Sequence, residues 1–483
     1  VQPVVDKYLD QLTSQLARNG FRGKFYLMLS NGGSAAVSTG RRFPIQLIES
    51  GPAAGVLAAT YLTERTGNAD VLSFDMGGTT AKLSLIEAGK PLTADLIEAG
   101  RIKRHMPGSG IPIKVPVIDL LEIGSGGGSI AWIDHMGLLK VGPESAGSSP
   151  GPACYGWGGL QPTVTDADLL LGYLNPDSFL GGEMKLDKKA SWDAMEREIA
   201  SKTGLSVLEA ARGVYEVVNQ SMALAAKMHV LERGKDPTHY ALVAYGGAGP
   251  VHAYGVGLTL GVKEVIIPPN AGVAASLGLL AAPVAFDLVQ TMRLPLQGCP
   301  WEQLHEGYSI LEKRGREILA QANVPDDQIR YTRTADMRYS GQGYDVTAPI
   351  PAGLLDDNSL SAIVQGFEDA YRERFAHLPA MGQLIEIARL RVRVSADVVQ
   401  PNLPVLEESD RHVKPSGFRG AYFSQDLECV NTPVYQWTAL VPGQEIPGPL
   451  IVETENTTVV VGPHGTMSMN SLGYLTIRLQ GDR

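Results

Sequence analysis

The sequence predicts an α/β protein that ends in a smaller, β-rich α+β part, and three observations predict it. Apolar runs short enough for buried strands alternate with helical patterns up to about residue 290. Glycine is abundant, 55 of 483 residues against a usual share of about 7%, and it clusters at strand ends: 32–33, 77–78, 126–128, 158–159 and 246–247. Beyond about residue 290, strands and turns dominate. The expected divisions are a linking helix–strand segment at 1–60, an α/β lobe at 61–290 and the β-rich domain at 291–483.

Composition narrows the function. A net charge of −10 without a dense Lys/Arg block argues against nucleic acid and anionic membranes as partners. No apolar run approaches the ~20 residues that span a bilayer. Cys154, Cys299 and Cys429 are far apart and odd in number, which suits a reducing compartment, so the expected location is cytoplasmic. The chain starts at Val1 without Met and runs straight into an amphipathic pattern.

In order, residues 1–20 read as a helix with Val4, Leu9, Leu12 and Leu16 on one face, stopped by Asn19-Gly20. A buried strand follows over 25–29, and a small-residue helix opens near Pro52. Strands at 70–74 and 83–86 flank the turn Asp75-Met76-Gly77-Gly78-Thr79-Thr80 and make a hairpin. After the glycine run 126–128 comes a strand at 129–134, and "VGPESAGSSPGPACYGWGG" reads as one long structureless loop. "PTVTDADLLLGYL" starts a helix. Ser206 and Glu209 are spaced as a capping box for a long helix that buries Leu208, Ala211, Tyr215, Val218, Met222, Ala225 and His229. Strand–Gly turn–helix units follow at 240–261 and 262–282. Near the end, Leu390, Val392 and Val394 alternate with Arg389, Arg391 and Arg393, the pattern of a half-buried strand.

Three glycine clusters carry candidate chemistry. In the hairpin turn, Gly77 and Gly78 let backbone N–H groups face anionic oxygens, Thr79 and Thr80 add hydroxyl donors, and Asp75 suits Mg²⁺ held through water. The alternative is a tight turn whose Asp and Thr cap their own backbone. Gly246, Gly247 and Gly249, between strand and helix, either press against a nucleotide's adenosine side or only allow close packing. At Gly126, Gly127 and Gly128, either two backbone segments cross or a ligand sits. Asp166 is an N-cap or a polar group at the same cleft, and His252 reads as a capping or packing residue. A hairpin phosphate loop followed by a strand–GGAG–helix turn resembles one lobe of the actin/sugar kinase/Hsp70 class of ATP-binding folds.

The segments "LSNGGSAAVSTGRRFPIQLIESGPAAGVLAA", "FDMGGTTAKLSLIE", "IGSGGGSIAWID", "VGPESAGSSPGPACYGWGGLQPTVTDAD", "YGGAGPVHAYG" and "ADMRYSGQGYDV" make the resemblance specific. Over essentially the whole chain the sequence is similar to the hydantoinase A/5-oxoprolinase family, which includes N-methylhydantoinase and the acetone and acetophenone carboxylases. The resemblance implies ATP-dependent phosphorylation of a carbonyl oxygen. A lactam or hydantoin then becomes an imidate phosphate opened by water, and a ketone becomes an enol phosphate for carboxylation. It implies ATP and Mg as cofactors, Asp75 and Thr79 as catalytic residues with Asp75 at the metal, and Gly77, Gly78 and Thr80 as the phosphate loop. Gly246, Gly247 and Gly249 would lie on the adenosine side, and Gly126, Gly127 and Gly128 near the transferred phosphoryl or the substrate. Its partners in a hetero-oligomer would be other family subunits, among them a hydantoinase B-type subunit. The family loop commonly ends in a carboxylate where this chain has Ala81 and Lys82, and Lys82 either offers charge to phosphate or faces solvent. A second phosphate loop, expected upstream of Val1, is absent from the sequence. The expected activity is therefore that of one component of a multi-subunit ATP-dependent ketone carboxylase. The alternatives are a component of a cyclic amide hydrolase and a truncated, non-catalytic scaffold copy.

Overall fold

The computed structural model describes residues 2–99, 110–379, 382–396, 404–407, 411–423 and 427–480. The chain forms two compact units, each assembled from segments distant in sequence. The first gathers Val1–Ala53, Thr93–Val117 and Ala281–Gln400, and the second gathers Ala54–Leu92, Ile118–Leu280 and Pro401–Arg483. Residues 1–53 thus group with 281–400, and 401–483 with the α/β lobe, a grouping that follows strand pairing rather than chain order.

The first unit is built on a six-stranded sheet ordered Tyr26–Met28, Ser34–Ala36, Val284–Pro295, Ile385–Ala396, Ile329–Tyr339, Val346–Pro349. The predicted alternation in Ile385–Ala396 is realised. Leu390, Val392 and Val394 are wholly buried in one core with Phe286, Tyr308 of the Trp301–Gln321 helix and Phe367 of the Leu360–Phe375 helix. The arginines between them line the opposite face. In the first helix, Gln2–Arg18, only Leu9 of the predicted face is buried, and Val4 is exposed.

The second unit holds a nine-stranded sheet. Its centre places Ala241–Tyr245 parallel to both Glu264–Ile267 and Val71–Met76, and Val71–Met76 pairs antiparallel with Ala81–Glu87. The C-terminal strands Leu475–Leu479, Gly465–Met469 and Glu445–Pro447 extend it beyond Glu264–Ile267. The long helix Val207–Leu231 starts at the predicted Ser206–Glu209 capping box, and every residue expected on its buried face is buried except Leu208, which is half-buried. The segment expected as one structureless loop, 141–159, contains most of the strand Leu139–Ser145, paired with Ser129–Ile133, and a 3₁₀ turn at Ala153–Tyr155. Its many Gly and Pro residues hide the strand from pattern reading, because the pairing is set by the partner strand and not by local alternation. No helix among the described residues is long and apolar enough to cross a membrane.

Candidate functional site

Asp75 and Tyr245 are register partners near the carboxyl ends of adjacent parallel strands, Val71–Met76 and Ala241–Tyr245. Ligands of open α/β sheets bind beyond that end. The strand carrying Asp75 is apolar and buried up to Phe74, so the chain emerges there with one carboxylate before the glycine turn. Gly77 N–H donates to Thr80 O at 3.1 Å and closes the turn, leaving Gly78 and Thr79 exposed at the tip.

The carbonyls of this turn point into the protein. Met76 O accepts from Ala248 N–H at 3.0 Å, Gly77 O from Gly127 N–H at 3.0 Å, and Gly78 O from Gly128 N–H at 2.6 Å. In a trans peptide the C=O and N–H point in opposite directions, so the N–H groups of Gly78 and Thr79 are turned away from the glycine run 126–128. They donate to no acceptor among the described residues, and the hydroxyls of Thr79 and Thr80 make no hydrogen bond there either. Two successive peptide donors turned away from the same support, in a turn that also carries two hydroxyls, suit anionic oxygens.

The triple glycine has a steric cause. A Cβ at Gly126 would lie 2.7 Å from the carbonyl carbon of Gly78 and from N and C of Thr79, and one at Gly128 would lie 2.9 Å from Gly78 O. Two backbone segments therefore cross, with Gly126, Gly127 and Gly128 buried beneath the hairpin. Thr165 fastens this support, since its N–H and its hydroxyl each reach Gly127 O at 2.8 Å.

The third segment closes the other side. Gly246 has φ of +88°, and a Cβ there would meet Met76 O at 2.4 Å and Asp75 Oδ1 at 2.5 Å. Gly249 is buried against Met76, and Gly247 is exposed, its carbonyl accepting from the Thr457 hydroxyl at 2.9 Å. The structure thus brings together all the candidate residues: Asp75, Gly77, Gly78, Thr79, Thr80, Gly126, Gly127, Gly128, Gly246, Gly247 and Gly249. Asp166 is neither an N-cap nor an open polar group. Thr163 is the cap, and Asp166, fully buried, accepts from Ala153 N–H, Cys154 N–H, Thr163 and Ser191. His252, expected as a capping or packing residue, caps no helix among the described residues; it is wholly buried, with polar partners on both ring nitrogens. Thr165 and Ala248 lay within the quoted "TVTDAD" and "YGGAG" runs without a role of their own, and Thr457 acts across more than 200 residues and leaves no local signal.

Burial pushes the Asp75 carboxyl up to about 6, against the opposing pull of the Lys82 ammonium. Lys82 is its register partner across the hairpin and lies 3.6 Å from Glu122. The Asp75 carboxylate makes no hydrogen bond among the described residues. A half-buried carboxylate in that state favours a nearby cation. Among the described residues no group of three His, Cys, Asp or Glu side chains could hold a metal ion. The single carboxylate of Asp75 would fit the expected Mg²⁺ only together with water and phosphate oxygens.

Comparison with known proteins follows the same lines. The sequence profile of the hydantoinase/oxoprolinase family matches residues 1–288, and that of the hydantoinase/oxoprolinase C-terminal domain matches 299–473. The caprolactamase alpha subunit of Pseudomonas jessenii is 32% identical over 97% of this chain and 67% of its own length. The crystal structure of that ATP-dependent caprolactamase superposes with a TM-score of 0.82 at 30% identity, over 99% of this chain and 69% of the other. The acetophenone carboxylase gamma subunit of Aromatoleum aromaticum is 32% identical over 95% of this chain and 63% of its own length. A nucleotide-free structure of acetone carboxylase, described as acting by ATP-dependent acetone carboxylation, gives a TM-score of 0.79 at 26% identity, over 98% of this chain and 67% of that one.

Proposed function

We propose that this chain, which belongs to the hydantoinase/oxoprolinase family, binds the phosphates of ATP at the Asp75–Thr80 hairpin and serves an enzyme that activates a carbonyl oxygen by phosphorylation. The observation that carries this reading is the pair of outward-turned N–H groups at Gly78 and Thr79, beside a carboxylate with no hydrogen-bond partner among the described residues. ATP with Mg²⁺, when bound, would supply a phosphoryl group that turns a carbonyl oxygen into a better leaving group. The chain's own part is to hold that charge in place. Gly78 and Thr79 N–H groups and the Thr79 and Thr80 hydroxyls would orient phosphate oxygens, and Asp75 would hold the metal ion through water. Gly246, Gly247 and Gly249 would line the adenosine side. Gly126, Gly127 and Gly128 would act from below by fixing the hairpin.

The similarity to carboxylases and to a caprolactamase supports two outcomes after the shared step. The first is ketone carboxylation in a multi-subunit complex. The second is opening of a cyclic amide, which the similarity to the caprolactamase alpha subunit favours. Since these relatives are named as subunits, the reading includes a hetero-oligomer, in which the partner to look for is a hydantoinase B-type subunit. Three free cysteines, two of them buried, support a cytoplasmic location.

The test is ATP hydrolysis by the purified assembly. Stimulation by a ketone with bicarbonate supports the carboxylase branch, and stimulation only by lactams or hydantoins sinks it. Asp75→Ala should lower substrate-dependent ATP turnover by about 10²–10³-fold, the usual cost of losing one group that stabilises transition-state charge. Unchanged turnover would make this chain a scaffold.

A further inference from the structure

The carbonyls that aim the hairpin are held from two helices. Val164–Leu170 acts through Thr165 on Gly127, whose own N–H holds Gly77 O. Gly249–Leu260 acts through its cap residue Ala248, whose N–H holds Met76 O. One turn further along each helix lies a polar side chain that the proposed phosphate binding does not use. Asp168 is 2% exposed and His252 is fully buried, and Oδ2 of Asp168 faces Nε2 of His252 at 3.2 Å. On the other side of the ring, Nδ1 faces Asn219 Oδ1 of the Val207–Leu231 helix at 2.8 Å. Tyr215 of that helix stacks on the imidazole, centroids 5.0 Å apart, and its hydroxyl donates to Val251 O at 3.2 Å. Asp168 Oδ1 has no hydrogen-bond partner among the described residues. A buried carboxylate with one oxygen unpaired among the described residues is costly, and apolar packing would join three helices without it.

We infer that the Asp168–His252 pair is a positioning device for the phosphate loop. It ties the helix that holds Gly127 to the helix that carries Ala248, and so sets the spacing of the two supports that turn the Gly78 and Thr79 N–H groups outward. A directional, charge-assisted contact fixes distance and rotation together, whereas apolar side chains at a helix crossing leave sliding and rotation softer. Neither residue reaches the reacting atoms in this scheme. Both act through the amides of Gly127, Gly128 and Ala248. The functional consequence rests on the proposed nucleotide reading, while the structural tie does not.

The experiment uses Asp168→Leu, His252→Phe and the double variant in the isolated protein assembly, with Ser206→Ala as a control that weakens only a helix cap. ADP with Mg²⁺ is the binding probe, thermal unfolding reads stability, and amide exchange is followed at Gly127, Gly128 and Ala248 without nucleotide. Each single variant leaves one buried partner unpaired and should lose thermal stability. The double variant should recover most of that loss, yet exchange at the three amides about 10-fold faster and bind ADP about 10-fold more weakly than wild type. Wild-type exchange and affinity in the double variant would overturn the inference. So would losses in the single variants that merely follow thermal stability, as in Ser206→Ala. If the wild-type protein binds no ADP, the nucleotide reading fails, and the exchange rates alone still decide the tie.

Discussion

Asp336 in the first unit and Asp75 in the second both sit on largely buried strands, and their surroundings treat them in opposite ways. Asp336 is 1% exposed, with Arg389 Nε 2.6 Å from Oδ2, Arg391 Nε 2.7 Å from Oδ1 and the Thr347 hydroxyl 2.8 Å from Oδ1. Arg393 pairs with Asp287, and Arg338 with Glu386 and Asp345, so acids and bases neutralise one another along that sheet face. Asp75 has Lys82 across the hairpin, but that ammonium lies near Glu122, and burial leaves the Asp75 carboxyl raised to about 6. A buried charge with its partners supplied by the fold is part of the structure. A half-buried carboxylate without such partners among the described residues is a candidate for binding a cation.

That contrast can be broken most sharply at Asp336. Asp336→Ala leaves two partly buried guanidinium groups without their shared acid, and should cost about 3–5 kcal/mol by chemical denaturation. ADP affinity measured on the folded protein should be unchanged. A loss under 1 kcal/mol would mean that the arginine ladder is solvated rather than structural.

Asp75 should respond with the reverse sign. Its carboxyl is raised from the ordinary value, so the folded state binds the proton more tightly than the unfolded chain. The ionised form therefore destabilises the nucleotide-free fold. The penalty is absent below about pH 4, grows as pH rises to about 6, and is full above it. Asp75→Asn should accordingly stabilise the nucleotide-free protein by about 1–3 kcal/mol at pH 7.5 and leave it unchanged at pH 4. A variant less stable than wild type at pH 7.5 would show that Asp75 has partners in the fold after all.

Gly126 probes the support of that loop. Gly126→Ala puts a methyl group against the backbone of Gly78 and Thr79, and should cost about 1–3 kcal/mol from overpacking while weakening ADP binding. The equivalent change at Gly67, where nothing lies within 4 Å but φ is +78°, should cost stability through backbone strain alone and leave ADP affinity intact. The smallest effect is expected at Ser206. Ser206→Ala removes a helix cap and should cost about 1 kcal/mol with no change in nucleotide binding.

Much of the fold was legible because it is local. The Ser206–Glu209 cap, the 3.6-residue stripe after it and the alternation of leucine and valine with arginine in Ile385–Ala396 all follow from spacing that a few residues define. The hairpin around Asp75 was legible too, since an apolar strand, one acid and two glycines make a turn under any tertiary arrangement. The pairing of Leu139–Ser145 was not, because its glycine and proline content masks a strand whose order comes from its partner. Asp166 was misread for a related reason. A carboxylate three residues after a threonine serves the capping box equally in an open cleft or a closed one, and only the surrounding donors reveal that it is fully satisfied.

The three glycine clusters were each ambiguous alone, and the ambiguity had a physical origin. Glycine states that a side chain cannot be present; it does not state what occupies the space. The amino-acid order determined where backbone had to be bare and where an acid would stand at a strand end. Only the tertiary structure decided that the bare segments lie against one another. Bringing Gly77 and Ala248 together depends on parallel strands far apart in the chain, and Gly127 joins them after an antiparallel strand, Leu121–Ile123, on the hairpin; such non-local pairing has no local signature. The direction of each turn carbonyl then followed from those contacts, and with it the direction of the two N–H groups, unpaired among the described residues, on which the proposed function rests.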